Sequence, residues 1–344
     1  MNFRIEFGEE NLTREKWDAF LSGHPGNTVF QSWIMHRFYS SIPNARPILI
    51  TSVDDSGHLL GILLGIWMFG PRRTPGFLSS RVIIYGGPLI RQDLADSDRI
   101  LDDILKELVM RTRKHTSFIQ FRNFSYLRSH EAVFRKHGFI FQDHLNLVLD
   151  TGDGMSPAEG LSKSRIRQVR KSIEAGATVE PASSLSEIRE LYRILSGLYR
   201  KKVRKPLPPL SFFEEFYSFT KRNELGVVLV VKFSGKVIGG MFCPVTPGKK
   251  MYEWYVCGLD KEYRQLFPSV LVTYSALRYA AGHSIPHFDF MGLGKPGKIY
   301  GVREFKERFG GTPVNNGRYV RIHNKLFYRL AEESYRILSL LRII

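Results

Sequence analysis

Two stretches of the chain repeat one order of hydrophobic periods. Each begins with apolar residues at helical spacing: Trp17, Phe20 and Leu21 in the first half, and Ile188, Leu191, Tyr192 and Leu195 in the second. Two apolar segments joined by a Ser-Gly turn follow, at Ser56-Gly57-His58-Leu59-Leu60-Gly61 and at Ser234-Gly235-Lys236-Val237-Ile238-Gly239. Each predicts a β-hairpin. A second helix is predicted over Asp98–His115 and over Pro268–Gly282. Short alternating strands come next, Phe118-Ile-Gln-Phe121 and Phe288-Asp-Phe290. Each leads into a compact aromatic and basic helix closed by glycine, Glu131 to Gly138 in one half and Glu304 to Gly311 in the other. The order helix, hairpin, helix, strand, helix, met twice, predicts a duplicated α/β unit.

The seam is expected after Leu145-Asn-Leu-Val-Leu149, where Thr151 to Pro157 supply turn chemistry. This divides the chain into a first domain at 1–150, a second at 151–316 and a C-terminal strand and helix at 317–344. The tail from Asn324 is basic and amphipathic, with Leu326, Phe327, Leu330, Tyr335, Leu338 and Leu341 at helical spacing. It is expected to dock on the body, with contact to a membrane surface as the second option. The longest apolar run, Leu59 to Phe69, is about half the ~20 residues of a membrane span and reads as buried strand. Charges near Met1 occupy the place of a signal peptide's apolar run. Together with two lone cysteines, Cys243 and Cys257, this suggests a soluble cytoplasmic protein.

Charge adds a class of partner. Fifty Lys and Arg against 33 Asp and Glu give +17, an excess that favours polyanions. Helix Leu161–Ala175 sets Ile166, Val169 and Ile173 on one face and Lys163, Arg167, Arg170 and Lys171 in a stripe beside it. That stripe suits contact with tRNA or a diphosphate, or else is a solvated face. Arg200-Lys201-Lys202 and Arg204-Lys205, before the stop at Pro206-Leu-Pro-Pro209, form a second cationic cluster. Zinc spacing, a phosphate-binding loop, a Gly-x-Ser-x-Gly elbow and a dinucleotide fingerprint are all missing, so neither metal nor cofactor is expected.

The second half carries Tyr252-Glu-Trp254-Tyr255, Glu262-Tyr263-Arg264, Phe288-Asp289-Phe290-Met-Gly292 and Tyr300-Gly301-Val302-Arg303-Glu304-Phe305-Lys306-Glu307-Arg308-Phe309-Gly310. Upstream stand Phe30-Gln31-Ser32 and Tyr85-Gly-Gly-Pro88. This set resembles the Fem family of peptidoglycan-bridge aminoacyltransferases, in the FemAB/BioF2-like branch of the GNAT superfamily. The Phe-Lys-x-x-Phe-Gly element is the most specific part of the likeness. The resemblance implies an α/β (α+β) fold of two tandem GNAT-like domains, each a mixed twisted sheet flanked by helices. It also implies transfer of an amino acid from aminoacyl-tRNA to an amine of a cell-wall precursor or related envelope acceptor, in the cytoplasm or at the inner membrane face. Arg72, Arg73 and Tyr85 become candidates for a precursor's diphosphate by the same likeness. The lysine that the family usually places shortly after Gln-Ser is replaced here by Trp33-Ile-Met-His36-Arg37.

Transfer to an amine passes through a tetrahedral oxyanion, which a preorganised cation stabilises. Lys306 is the first candidate, with Phe305 beside it keeping water away; the plain alternative is a surface lysine paired with Glu304 or Glu307. Removal of its charge is expected to leave the fold nearly unchanged. Asp289 either accepts the amine's proton or caps the amides of Gly292-Leu-Gly294. Tyr252, Trp254 and Tyr255 are candidates to stack on a base or sugar, or else are core, and Arg264 is a candidate phosphate contact. CoA-dependent members of the superfamily hold a pyrophosphate on a glycine-containing loop opening a helix. The matching stretch here, Arg264-Gln265-Leu266-Phe267-Pro268-Ser269, has no glycine and puts Phe267 and Pro268 in the way. The expected donor is therefore not acetyl-CoA. The rival functions are an N-acyltransferase using acyl-CoA or an acyl carrier, and a non-catalytic nucleic-acid or membrane-surface binder.

If Arg167, Arg170 and Lys171 meet phosphates, replacing all three with Gln should weaken RNA binding. The slope of log affinity against log salt should also become shallower, by ~0.7 for each single-strand phosphate that is no longer neutralised. Binding isotherms at several salt concentrations check this, and an unchanged slope makes the stripe a solvated face.

Overall fold

Both Ser-Gly hairpins stand inside mixed eight-stranded sheets in the computed structural model, which describes residues 2–69, 80–125, 127–152, 160–203, 206–297, 301–323 and 328. The first sheet uses β1 (Phe3–Phe7), β2 (Ala45–Asp54), β3 (Leu59–Met68), β4 (Arg81–Tyr85), β5 (Leu89–Ile90), β6 (Phe118–Arg122) and β7 (Ile140–Gln142). The second uses β8 (Asn146–Asp150), β9 (Thr178–Pro181), β10 (Gly226–Phe233), β11 (Lys236–Thr246), β12 (Lys250–Tyr252), β13 (Tyr255–Gly258), β14 (His287–Asp289) and β15 (Thr312–Val314). The last described strand, β16 (Arg318–Ile322), returns to the first sheet between β6 and β7. Strand order is β1-β2-β3-β4-β6-β16-β7 in one sheet and β15-β8-β14-β12-β11-β10-β9 in the other, with β5 and β13 pairing only to β3 and β11. Each sheet has one parallel pair, β4 with β6 and β12 with β14.

The boundaries differ from those expected. The chain divides into Met1–Asp143 with Asn315–Ile343, and His144–Val314 with the last residue. Strand β8, expected to end the first domain, pairs through Val148 and Leu149 with β14 in the second sheet. The segment from 317, expected as a C-terminal strand and helix packing back on the body, places Tyr319 and Val320 between β6 and β7 of the first sheet. Hydrogen-bond partners define a sheet, and partners distant in sequence leave no local trace.

The first unit packs Ile48, Ile50, Leu60, Trp67, Val82 and Ile84 with Ile100, Leu101, Ile104, Leu105 and Leu108 of the helix Ser97–Thr112. Its helices are α1 (Arg14–Ser22), α2 (Trp33–Ser41), α3 (Ser97–Thr112) and α4 (Glu131–Lys136). Tyr319 of β16 stacks on Phe134 of α4 at 3.9 Å, which closes that core. The second unit carries α5 (Lys163–Glu174), α6 (Leu185–Leu198), α7 (Leu210–Thr220), α8 (Pro268–Gly282) and α9 (Gly301–Glu307). Of these, α2 and α7 are not anticipated by the sequence pattern. In α7, Phe212, Phe213, Phe216, Tyr217 and Phe219 are all buried, so it shows no clean polar face to mark its period. Apart from Tyr328, the expected tail helix beyond Asn324 lies outside the described residues, as do Arg204 and Lys205.

One side chain completes the first sheet. Strand β3 pairs with β4 from Gly65 onward and with β5 at Gly61 and Ile62, which leaves Leu64 in a gap. The Gln31 amide fills it: Oε1 accepts from Leu64 N at 2.8 Å, and Nε2 donates to Leu64 O and Tyr85 O, both at 2.8 Å. Gln31→Leu keeps the bulk but strands these buried groups, so it should cost about 3 kcal/mol. Urea unfolding checks this; an unchanged midpoint would mean that the gap closes without the amide.

Candidate functional site

Strand β11 pairs with β12 at Val245 and Thr246 and with β13 from Gly239 to Phe242. Between them the partner strand splits. Glu253 N donates to Asp289 O at 2.9 Å, while the next amide, Trp254 N, donates to Phe242 O at 3.1 Å. The split places the Glu253 carboxyl inside the unit, where a pleated ladder would have carried it past. Lys306 comes in from α9, itself only 8% exposed.

Three acceptors take the three N–H groups of the Lys306 ammonium. They are Phe290 O at 2.6 Å, Gly292 O at 3.0 Å and Glu253 Oε1 at 2.9 Å. The expected partners, Glu304 and Glu307, are not used, and Glu307 pairs with Arg303 instead. The lysine is thus no exposed cation awaiting an oxyanion; it must exchange a bond to reach one. Glu253 Oε2 is buried with no hydrogen-bond partner among the described residues. Burial pushes the Glu253 carboxyl up from the ordinary range, Lys306 opposes this and the nearby Asp289 charge adds to it. Asp289, 1% exposed, is also pushed up by burial, against Lys250, the Met291 amide, Asn146 and Lys306. Its Oδ1 accepts from Met291 N at 2.7 Å, one residue short of the amides expected at Gly292 to Gly294. Asn146 Nδ2 lies 3.4 Å from both its oxygens. Of the two buried carboxyls, only Glu253 bonds Lys306, while Asp289 feels the lysine through its charge.

Sequence reasoning missed Glu253 although it stands inside the quoted Tyr-Glu-Trp-Tyr run. The usable signal is a lone acid among aromatics, Tyr252-Glu253-Trp254-Tyr255, between two short strands. Arg165 was missed too. It is 5% exposed, has no acidic partner among the described residues, and lies with its guanidinium 4.4 Å from the Phe305 ring and 5.0 Å from Phe309. It donates to Phe305 O at 3.2 Å and to Gln168 Oε1 at 2.8 Å. Burial, with Arg308 nearby, lowers its pKa to about 10. Arg165 thus clasps α9 by its last turn, and Phe305 serves as the platform for this clasp.

That clasp also turns α5. Its buried face is Arg165, Val169 and Ser172, so the expected apolar face is corrected: Ile166 and Ile173 are 43% and 52% exposed. They share the outer surface with Lys163, Arg167, Arg170 and Lys171. Arg200 and Lys201 are exposed in the turn Tyr199–Val203, and Arg264 is exposed beside Lys261 O. Tyr252 is buried, and Trp254 and Tyr255 pack against Phe212 and Phe213 of α7, with the Trp254 ring 5.1 Å from Phe212 and Tyr255 5.1 Å from Phe213. Tyr252 is thus enclosed, whereas Trp254 and Tyr255 pack on α7 and stay partly exposed. Tyr85 is buried in the first unit, while Arg72 and Arg73 lie outside the described residues.

The N-terminus of α8 is already occupied. Phe267 precedes it in the left-handed region at φ 41°. The Asp260 carboxylate accepts from Ser269 N at 3.1 Å and from Ser269 Oγ. An anionic ligand there would meet a carboxylate, a proline without N–H and a phenyl ring.

The buried bonding of Lys306 overturns the expectation that its charge is dispensable to the fold. Lys306→Met would leave the Glu253 carboxyl and two carbonyls unpaired, a loss of about 3–5 kcal/mol. The double variant Lys306→Met, Glu253→Gln should recover part of this. Denaturant unfolding of both variants checks it, and equal stability of Lys306→Met and wild type would mean that water reaches the cluster.

The acetyltransferase (GNAT) domain family profile matches residues 162–307. No curated protein matches the chain. Among solved structures, FemX is similar over 94% of this chain and 99% of its own, at 15% identity and TM-score 0.66. L-PGS from Bacillus licheniformis is similar over 95% of this chain and 97% of its own, at 13% identity and TM-score 0.58. A tandem GNAT protein from the clavulanic acid biosynthesis pathway is similar over 93% of this chain and 99% of its own, at 12% identity and TM-score 0.57. The profile match falls within the second unit, and the chain has the fold of FemX and of the tandem GNAT protein.

Proposed function

We propose that this chain is an aminoacyltransferase that moves an amino acid from aminoacyl-tRNA to an amine of a peptidoglycan precursor or related cell-envelope acceptor. The observation that carries this reading is the Glu253 carboxyl, buried at the strand split with one oxygen unpartnered and the other on Lys306. A carboxyl with a raised pKa suits removal of a proton from an ammonium-derived nucleophile. The amine nitrogen attacks the ester carbonyl, its proton passes to Glu253, and the same proton then goes to the departing ribose oxygen. When Glu253 takes the proton its hold on Lys306 weakens. One N–H of the ammonium is then released towards the developing oxyanion. Asp289, bonded to the Met291 amide, shapes the turn whose carbonyls hold that lysine.

The capped α8 supports a donor not anchored by a diphosphate at that helix. The exposed cations of α5, with Arg200 and Lys201, offer a tRNA backbone charge without demanding sequence. Work at the cytoplasmic face of the inner membrane fits an envelope acceptor. A second reading, N-acyl transfer from acyl-CoA or an acyl carrier, is favoured by the family profile over residues 162–307.

The experiment is transfer from charged tRNA to an amine-bearing cell-wall precursor, followed by mass spectrometry, alongside calorimetry with acetyl-CoA and a longer acyl-CoA. Product from charged tRNA and no CoA binding are expected; micromolar acetyl-CoA binding would replace this reading with the second. Since Glu253 must be ionised to act, the rate should rise with pH through a midpoint above the ordinary carboxylate range. Glu253→Gln should remove that limb and lower the rate about 10²-fold or more.

A further inference from the structure

The start of α5 runs along the end of α9 and touches it three times. Ser162 N donates to Arg308 O at 3.1 Å. Gly310, at φ 85°, lies so near Gly160 that a Cβ there would stand 2.6 Å from the Gly160 carbonyl oxygen. Arg165 makes the third contact, through the Phe305 carbonyl and the rings of Phe305 and Phe309. Lys306 is the one buried side chain of α9, so the place of this short helix is set from outside.

Arg165 is an unusual anchor. It is enclosed, yet the partners that it bonds and stacks on are all neutral, and its Nε has no hydrogen-bond partner among the described residues. Of the charges that act on it, Arg308 repels and Asp260 attracts without bonding. An apolar side chain at this position would cover the same two rings without burying a charge, so packing alone does not call for arginine. What the guanidinium adds is a directional hold on one carbonyl, and that carbonyl belongs to the residue before Lys306. Gln168, on the same face of α5, aims the hold by accepting from NH1 at 2.8 Å.

A displacement of α9 would be felt at the Lys306 ammonium, where contacts of 2.6 to 3.0 Å converge on Phe290 O, Gly292 O and Glu253 Oε1. The charged groups that act on the Glu253 carboxyl are Lys306 from α9 and Asp289 from β14. The Cys243 thiol of β11 also interacts with it and is kept neutral by burial. Of these groups only Lys306 favours the ionised carboxylate.

We infer that Arg165 is a positioning residue that acts through α9: it fixes how closely Lys306 holds the Glu253 carboxyl, and with that how readily this carboxyl takes a proton. Its bearing on catalysis rests on the proton-acceptor role proposed for Glu253. No contact between Arg165 and substrate is required.

The test is carboxyl carbon-13 NMR of the full chain labelled at glutamate, followed across pH, with the Glu253 resonance assigned by its loss in Glu253→Gln. Arg165→Gln should move the Glu253 titration to higher pH, because the ammonium that opposes burial is held less closely. In the transfer assay kcat should fall at least about tenfold with KM little changed, the signature of misplaced groups that do not bind substrate. Arg165→Lys keeps a cation over the rings without the planar fork and should fall between the two. Thermal melts accompany each variant, and the Lys form carries the comparison if the Gln form does not fold. An unchanged Glu253 titration in a folded Arg165 variant overturns the positioning role, even where that variant is less stable. The NMR titration needs no substrate, so a wild type that transfers no amino acid overturns the proposed reaction while the titration still decides the role of Arg165.

Discussion

The second unit depends on one buried ion pair. Lys306 and Glu253 come from elements more than fifty residues apart and meet where solvent is excluded. Charges in such a place are tolerated only when nearly every donor and acceptor is met. The ammonium meets this condition through two carbonyls of the Phe290 to Gly292 turn. The carboxyl does not, since one oxygen has no partner among the described residues. The cluster is thus satisfied at the lysine and left open at one carboxyl oxygen.

The surroundings of the pair follow from this requirement. The strand must split at Glu253, because an unbroken β12–β13 ladder would not bring the carboxyl inward while Trp254 turns to Phe242. The turn after β14 must present carbonyls, and Met291 at φ 60° does so with its amide held by Asp289. Helix α9 is only seven residues long, too short to hold itself. Arg165 clasps it from α5 by stacking on two phenyl rings and bonding the Phe305 carbonyl. The cost of that clasp is visible on the outside of α5, where two isoleucines face water so that an arginine can face in.

The first unit applies the same frame differently. Its corresponding gap is filled by the Gln31 amide, a neutral group that satisfies three backbone atoms and leaves no titratable acid. A duplicated fold can thus separate duties: identical strand pairing, different side chains at the point where pairing lapses. Fold likeness alone says nothing about those side chains, since function resides in the site.

Local sequence determined the repeated elements. The Ser-Gly turns dictated both hairpins, Pro268 at the first helical position set the start of α8, and the run from Glu304 to the closing glycines marked the short helix α9. Period and turn chemistry act over a few residues, so these were legible without coordinates. Tertiary structure alone decided the rest. Strand β8 changes sheets and β16 returns to the first because hydrogen-bond partners, not composition, choose a sheet. The face of α5 is turned by about one position, keeping Val169 inside while Arg165 replaces Ile166 there and lies over two rings. Glu253 gains its character from a lysine 53 positions later in the chain, a distance over which sequence spacing carries no geometric information, whereas burial and hydrogen bonding do.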